Sequence, residues 1–256
     1  MSALVDATIE VRTVGAPAVH GMLPSHEAAP VGCLVAIPVR TALVDAGDDI
    51  VETVARAVHG IASPGDVIAV SETAVAIAQG RAIPAEFVRP SRLAYALAQR
   101  AGALATVNQP ESLQLVIDRV GAWRVLYAGA MHVLGRIVGR RGVFYSVLGE
   151  AISAIDGYTG TLPPFERTIV FGPDDPAGVA TAIAQRTGAQ AAIVDANDLG
   201  IAKVLGASAG ARVASIEAAL RTNPHGNGDE QTPIVVLAWR GAGTGPLVDP
   251  ADAGAP

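Results

Sequence analysis

The stretch Asp195-Ala196-Asn197-Asp198-Leu199-Gly200 places two carboxylates and a carboxamide directly after an apolar run, Ala191 to Val194. A run of that kind reads as a buried strand, so these polar groups stand where a strand leaves the core. Charged groups there are costly unless something pairs with them. In open α/β folds, ligands collect at the carboxyl ends of strands. Clustered oxygen donors suit a hard cation such as Mg²⁺ or Mn²⁺, which in turn handles phosphates. A turn is the plain alternative, because Asp, Asn and Gly are favoured turn residues. A second acidic turn lies upstream, at Ile155-Asp156-Gly157. Asp156, Asp195 and Asp198 are therefore the candidate metal ligands. Lys203, the single lysine, comes five residues after Asp198. It is placed either to neutralise phosphate charge or simply to be a solvated surface cation.

Other chemistries find less support. There is no Gly-x-x-x-x-Gly-Lys-[Ser/Thr] phosphate loop. The histidines at 20, 26, 59, 132 and 225 show no metal-ligand spacing. Gly206-Ala207-Ser208-Ala209-Gly210 matches the nucleophile-elbow string, but only His225 lies downstream and no acid completes a triad. A small-residue turn explains it more simply. Arg136, Arg140 and Arg141 form a basic helix end, which suits the negative pole of the helix dipole or an anionic substrate. The polar loop 223–233, rich in Gly, is either a surface loop or a close backbone approach to a ligand.

The elements that would position these groups follow from periodicity. A strand, Cys33 to Val39, leads through Gly47-Asp48-Asp49 to a helix with Val51, Val54, Ala55, Val58 and Ile61 on one face, then to a strand at 67–70. Asp49 is placed as its N-cap, with Glu52 three residues later as in a capping box. The pattern repeats: a strand at 168–171, a cap at Asp175 with Pro176 at the first helical position, and a strand at 190–194. Each unit is expected to join parallel strands. Each ends in polar residues, Ser71-Glu72-Thr73 and Asp195 to Asp198. Between them, 91–101 and 111–120 read as amphipathic helices and 123–138 as a longer, buried one. Residues 142–148 read as a strand. The fold class expected is mixed α/β (α+β): two strand–helix–strand units and a central helical segment. Residues 1–31 read as an arm or extra strand, 32–240 as the main domain and 241–256 as a disordered tail.

Composition narrows the partners. Half of the 256 residues are hydrophobic, aromatics are 4%, and the net charge is −6. A basic face and stacking aromatics are the marks of a nucleic-acid binder, and neither dominates here. The one cysteine, Cys33, sits in an apolar run and reads as a buried core thiol. No basic-then-apolar leader opens the chain, and the most apolar long stretch carries Arg124, His132 and Arg136, unlike a membrane span. The expectation is a soluble cytoplasmic protein with no nucleic-acid or membrane partner.

Four short motifs carry a family resemblance. Ile37-Pro38-Val39-Arg40-Thr41, Gly47-Asp48-Asp49-Ile50, Gly65 to Val70, and Ala78-Gln79-Gly80-Arg81 resemble the coenzyme F420-0:L-glutamate ligases in order and spacing. The resemblance resumes at Ala154-Ile155-Asp156 and at Asn197 to Gly200, and covers most of 32–240. It implies a gamma-glutamyl ligase-like fold, a homodimer, a divalent metal (Mg²⁺ or Mn²⁺) and GTP or ATP as co-substrate. In that family a carboxylate acceptor is activated, as an acyl phosphate, and the amine of glutamate attacks it. Carried across, Asp156 matches a metal-binding aspartate, and Asn197 and Asp198 match an adjacent Asp-Thr metal pair, with Asp195 two residues earlier able to supply the missing carboxylate. Ile37, Pro38, Val39, Arg40, Glu72, Thr73 and Thr159 fall where the family contacts nucleotide. Lys203 is the candidate catalytic cation. Two family lysine positions hold Thr73 and Ile77 here. The function expected is a metal- and nucleotide-dependent acid–amino-acid ligase; the alternative is a non-catalytic, ligand-binding homologue.

Overall fold

The computed structural model describes residues 12–13, 33–100, 108–140, 142–149, 155–156, 163–226 and 230–240. Most of the expected N-terminal arm, the whole tail at 241–256 and Thr159 lie outside them.

The strands are β1 (Arg12–Thr13), β2 (Cys33–Val39), β3 (Val67–Ser71), β4 (Ala82–Pro84), β5 (Ile155–Asp156), β6 (Thr168–Phe171), β7 (Gln190–Ala196), β8 (Ala202–Ala207) and β9 (Ile234–Arg240). The α-helices are α1 (Ile50–Ala57), α2 (Glu72–Ala78), α3 (Arg92–Ala98), α4 (Pro110–Val120), α5 (Ala122–Ile137), α6 (Val143–Leu148), α7 (Pro176–Thr187) and α8 (Val213–Leu220). The fold is α+β: one sheet in the order β1-β2-β9-β3-β7-β8 and a smaller one, β4-β6-β5.

Strand β9 explains the larger sheet. All five residues from Ile234 to Ala238 are buried, so this run needs cover on both faces and neighbours on both edges. It lies between β2 and β3, antiparallel to each. Those two strands therefore run the same way but are not adjacent. On one face, Ile37, Ile68, Ile193 and Val236 pack with Val54 of α1, Val75 of α2 and Ile183 of α7. On the other, Ala69, Ala192, Val194 and Leu237 pack with Ile216 and Leu220 of α8. Each strand alternates its side chains between these two cores.

The caps follow the sequence. Asp49 accepts from the Glu52 amide at 3.1 Å. The Glu52 carboxylate, however, turns to Arg186 of α7, with Arg186 Nε and NH2 at 3.0 and 3.3 Å, instead of closing the capping box. Both side chains are well exposed, so the pair is worth about 0.2–1 kcal/mol. Asp175 caps α7 by accepting from Gly178 N at 3.0 Å, in a left-handed conformation (φ 40). One glycine is demanded by space: a Cβ at Gly206 of β8 would stand 2.4 Å from Ala177 N and 2.5 Å from the Pro176 carbonyl carbon.

Three expectations are corrected, and one helix lies outside them. The second strand–helix–strand unit does not lie in one sheet: β6 belongs to the small sheet, held there by β4 and by the bond from Phe171 N to Arg81 O (2.9 Å). Residues 143–148 are helical. Phe144, Val147 and Leu148 recur at spacings of three and one and join the core of α3, α4 and α5, and that packing overrides β propensity. The long helix at 122–137 is not buried: Trp123 is 78% exposed and Ile137 76%. Finally, β3 runs straight into α2, whose Ala74 to Ala78 are all buried; that helix carries little alternation of polar and apolar residues by which to see it. Arg12–Thr13 pairs with Val35 and Ala36 of β2.

Candidate functional site

Strands β3 and β7 are adjacent and parallel, with Ser71 opposite Val194. Past this pair β3 turns into α2 at Glu72, while β7 continues through Asp195 to Ala196. Strand β2 points the same way and ends at Val39, with Arg40 and Thr41 next in the chain. Three carboxyl ends share one edge, which is where open sheets bind ligands.

A loop closes this edge. Residues 223–233 join α8 to β9, and their backbone is stitched to two of the strand ends. Thr41 N donates to Gln231 O at 3.1 Å, and Ser71 N donates to Pro233 O at 2.8 Å. Asn223 and Gln231 take left-handed backbone (φ 46 and 53). Asn223 and His225 are buried. The loop is thus part of the fold and not a plain surface connection.

His225 is held in one tautomer. Its Nδ1 lies 3.1 Å from Thr232 O. A carbonyl can only accept, so Nδ1 carries the proton. The Thr232 hydroxyl donates in return to His225 O. Full burial pushes the imidazole down to about 4, against the opposing pull of the Thr232 carbonyl. His225 is therefore neutral at pH 7, with Nε2 free of a hydrogen-bond partner among the described residues. The five scattered histidines show no spacing that would single this one out; the burial comes from the loop.

The acidic turn separates into three roles. Asn197 holds the turn: its Oδ1 accepts from Leu199 N (3.0 Å) and Ile201 N (3.3 Å), and its own N–H donates to Ile201 O (3.0 Å). That is the turn chemistry of Asx residues, and it occupies the oxygen a cation would use. Asp198 is exposed and accepts from Asn223 Nδ2 at 2.7 Å through Oδ1, which leaves Oδ2 without a partner among the described residues. Asp195 is half-buried on β7. Desolvation raises its carboxyl above the usual range, partly offset by Lys203.

A bulge brings Lys203 opposite Asp195. The β7–β8 register pairs Ile193 with Gly206 but Val194 with Val204, skipping Leu205. An unbroken ladder would set Val204 opposite Asp195. Bulges of this kind re-aim side chains near functional sites. Lys203 is exposed and is not within ion-pair distance of a carboxylate among the described residues.

The remaining candidates are divided. Ile37, Pro38 and Val39 are buried in the sheet, so only their backbone is near the edge, while Arg40 is exposed. Glu72 and Thr73 are half-buried in the first turn of α2, and Ile77 packs inward. Asp156 ends β5, paired with Val170; its side chain lies outside the described atoms. Among the described residues no three His, Cys, Asp or Glu side chains stand close enough to hold a metal together. Ser208 is structural: its Oγ accepts from Ala191 N at 2.9 Å and its N–H donates to Ala191 O. That removes the serine-nucleophile reading. A shallow groove between Gly188, Gln190, Ser208 and Ala209 lies at the opposite end of β7 from Asp195.

The fold class is α+β, and one end of its larger sheet carries Asp195, Lys203 and the loop that leads into β9. The particular family is given by sequence. A family model described as F420-0:gamma-glutamyl ligase matches residues 38–196, and the chain belongs to that family. The match begins at Pro38 near the end of β2, includes β3, Asp156 and Asp195, and stops just before Asn197. No curated protein matches the chain.

Proposed function

We propose that this gamma-glutamyl ligase-like protein joins glutamate to a small carboxylate acceptor, with a divalent cation and GTP or ATP, at the shared edge of β2, β3 and β7. The observation that supports this best is the parallel β3–β7 pair. It puts Ser71 opposite Val194, the residues just before Glu72 and Asp195, inside the span that matches the family.

The donors suit a hard cation. Asp195 is a carboxylate that burial leaves in need of positive charge, and Asp198 keeps one oxygen uncommitted. With Asp156 they would hold Mg²⁺ or Mn²⁺, which when bound would offset charge on the phosphates. Asn197 keeps the turn rigid. Lys203 adds a positive charge across from Asp195, and Arg40 adds another at the end of β2. Asn223 and His225, buried in the loop that leads into β9, cover one side of the edge.

Calorimetry with Mn²⁺ and GTP tests the reading. We expect binding to the wild type, weakened by more than about tenfold in Asp156→Ala and in Asp198→Ala. Glutamate-dependent release of phosphate with a carboxylate acceptor would complete it. Failure of the wild type to bind either probe would defeat it. Binding without phosphate release under any acceptor would favour a non-catalytic ligand-binding homologue, the reading that Thr73 and Ile77 support by standing where the family carries lysines.

A further inference from the structure

The outer face of α5 is apolar, and nothing among the described residues covers it. Trp123, Leu126, Tyr127, Val133, Leu134 and Ile137 fall on one side of the helix at 3.6 residues per turn and are all exposed. Val125, Ala128 and Gly135 lie on the opposite side, packed inward. At 3.6 residues per turn, Arg124 falls on one flank of the exposed stripe and Arg136 on the other. Both are exposed, as are Arg119 before the helix and Arg140 after it. From 119 to 149 the sequence has five arginines and no Asp or Glu, in a chain whose net charge is −6.

We infer that α5 is a membrane-surface helix that docks on anionic lipid. The stripe has the composition of an interfacial helix: an apolar face with Trp and Tyr, bordered by arginines. The arginines would reach up to phosphate headgroups while their stems stay on the apolar side. The aromatic rings favour the headgroup boundary. Charge decides between this occupant and a second copy of the same face. Pairing two such faces brings arginine towards arginine with no carboxylate to meet it, whereas an anionic bilayer complements the whole stripe. No helix of the described residues is long and apolar enough to cross a membrane, so the helix lies on the surface. The proposal runs counter to the expectation of no membrane partner and stands apart from the ligase reading, since it uses none of the residues at the sheet edge.

The experiment is co-sedimentation of the full chain with vesicles of phosphatidylglycerol and phosphatidylcholine, against phosphatidylcholine alone. It is read together with tryptophan emission and the oligomeric state by analytical ultracentrifugation. We expect binding to the anionic vesicles, a blue shift from Trp123, and a loss of both at high salt. The double variant Arg124→Glu/Arg136→Glu should weaken binding by more than about tenfold. Trp123→Ser/Ile137→Ser should abolish it, with an unchanged circular dichroism spectrum, because all four positions are exposed. Absence of binding, or equal binding to the neutral vesicles, would overturn the proposal. So would a dimer that Trp123→Ser/Ile137→Ser dissociates while no vesicle is bound, which would assign the face to a second copy.

Discussion

Asn223 donates its side-chain amide to Asp198, Nδ2 to Oδ1, at 2.7 Å. The bond joins the β7–β8 turn to the loop that leads into β9. One carboxylate oxygen of a candidate ligand is thereby aimed by a buried residue from another part of the chain. The turn and its neighbour should respond differently to substitution. Asn197→Ala removes the acceptor of two turn amides and should cost about 1–2 kcal/mol of stability, with the Asp198 bond retained. Asp198→Ala should cost about as much, and should also free the 223–233 loop. Urea denaturation gives the first effect, and hydrogen exchange at Thr41 and Ser71, whose amides the loop accepts, gives the second.

Asp195 and Lys203 face each other because of the bulge at Leu205. Burial raises the Asp195 carboxyl and Lys203 lowers it. In Lys203→Met the carboxyl should therefore titrate higher still, as read by carbon NMR of the side chain. The sign of the stability effect follows. A carboxyl whose folded value lies above its unfolded value destabilises the fold once ionised, and relief comes as pH falls through the folded value. Asp195→Asn should accordingly raise the thermal midpoint at pH 7 without metal. The same substitution should abolish any stabilisation by Mn²⁺.

His225 gives the protein an acid sensitivity. Its folded value of about 4 lies below the usual 6.5, so between those values the unfolded chain binds the extra proton. The contribution is fully present above pH 6.5 and is lost as pH falls towards 4. The difference amounts to about 3 kcal/mol. Denaturation at pH 7.5 and pH 4.5 should show this loss in the wild type and a flatter response in His225→Gln.

Gly206 touches the backbone of α7 at Pro176 and Ala177. Backbone cannot swing away as a flexible side chain can. Gly206→Ala should force β8 off α7 and cost about 1–3 kcal/mol or more. Gly47→Ala has open space around it and tests only the positive φ of 92; it should cost about 1 kcal/mol. Comparing the two by thermal denaturation separates close approach from backbone strain.

Local patterns were legible wherever the physics is local. The caps at Asp49 and Asp175, the strands at 33–39 and 190–194, and the amphipathic α3 and α4 each depend on a few neighbouring residues, and each stands where the periodicity put it. The turn chemistry of Asn197 is equally local. The family motifs were visible for the same reason, as short strings in a given order. The segment 143–148 was misread because its β-branched and aromatic residues satisfy either period, and only the neighbouring helices choose between them. The burial of 123–138 was misread because apolar content says that a helix wants cover and not that this chain supplies it.

The sequence by itself determined the acidic turn, its lysine, the apolar strand before it and the family to which all three belong, because these are properties of contiguous residues. Tertiary structure alone decided what stands beside them. The insertion of β9 between β2 and β3, the adjacency of β3 and β7, and the bulge that sets Lys203 opposite Asp195 are pairings across roughly ten to two hundred residues of chain. Strand register and burial arise from the packing of the whole core, so no local pattern encodes them. His225 shows the difference most plainly. An isolated histidine in a polar loop reads as solvent-exposed, and it becomes a buried, neutral side chain only because the loop folds back over the strand ends.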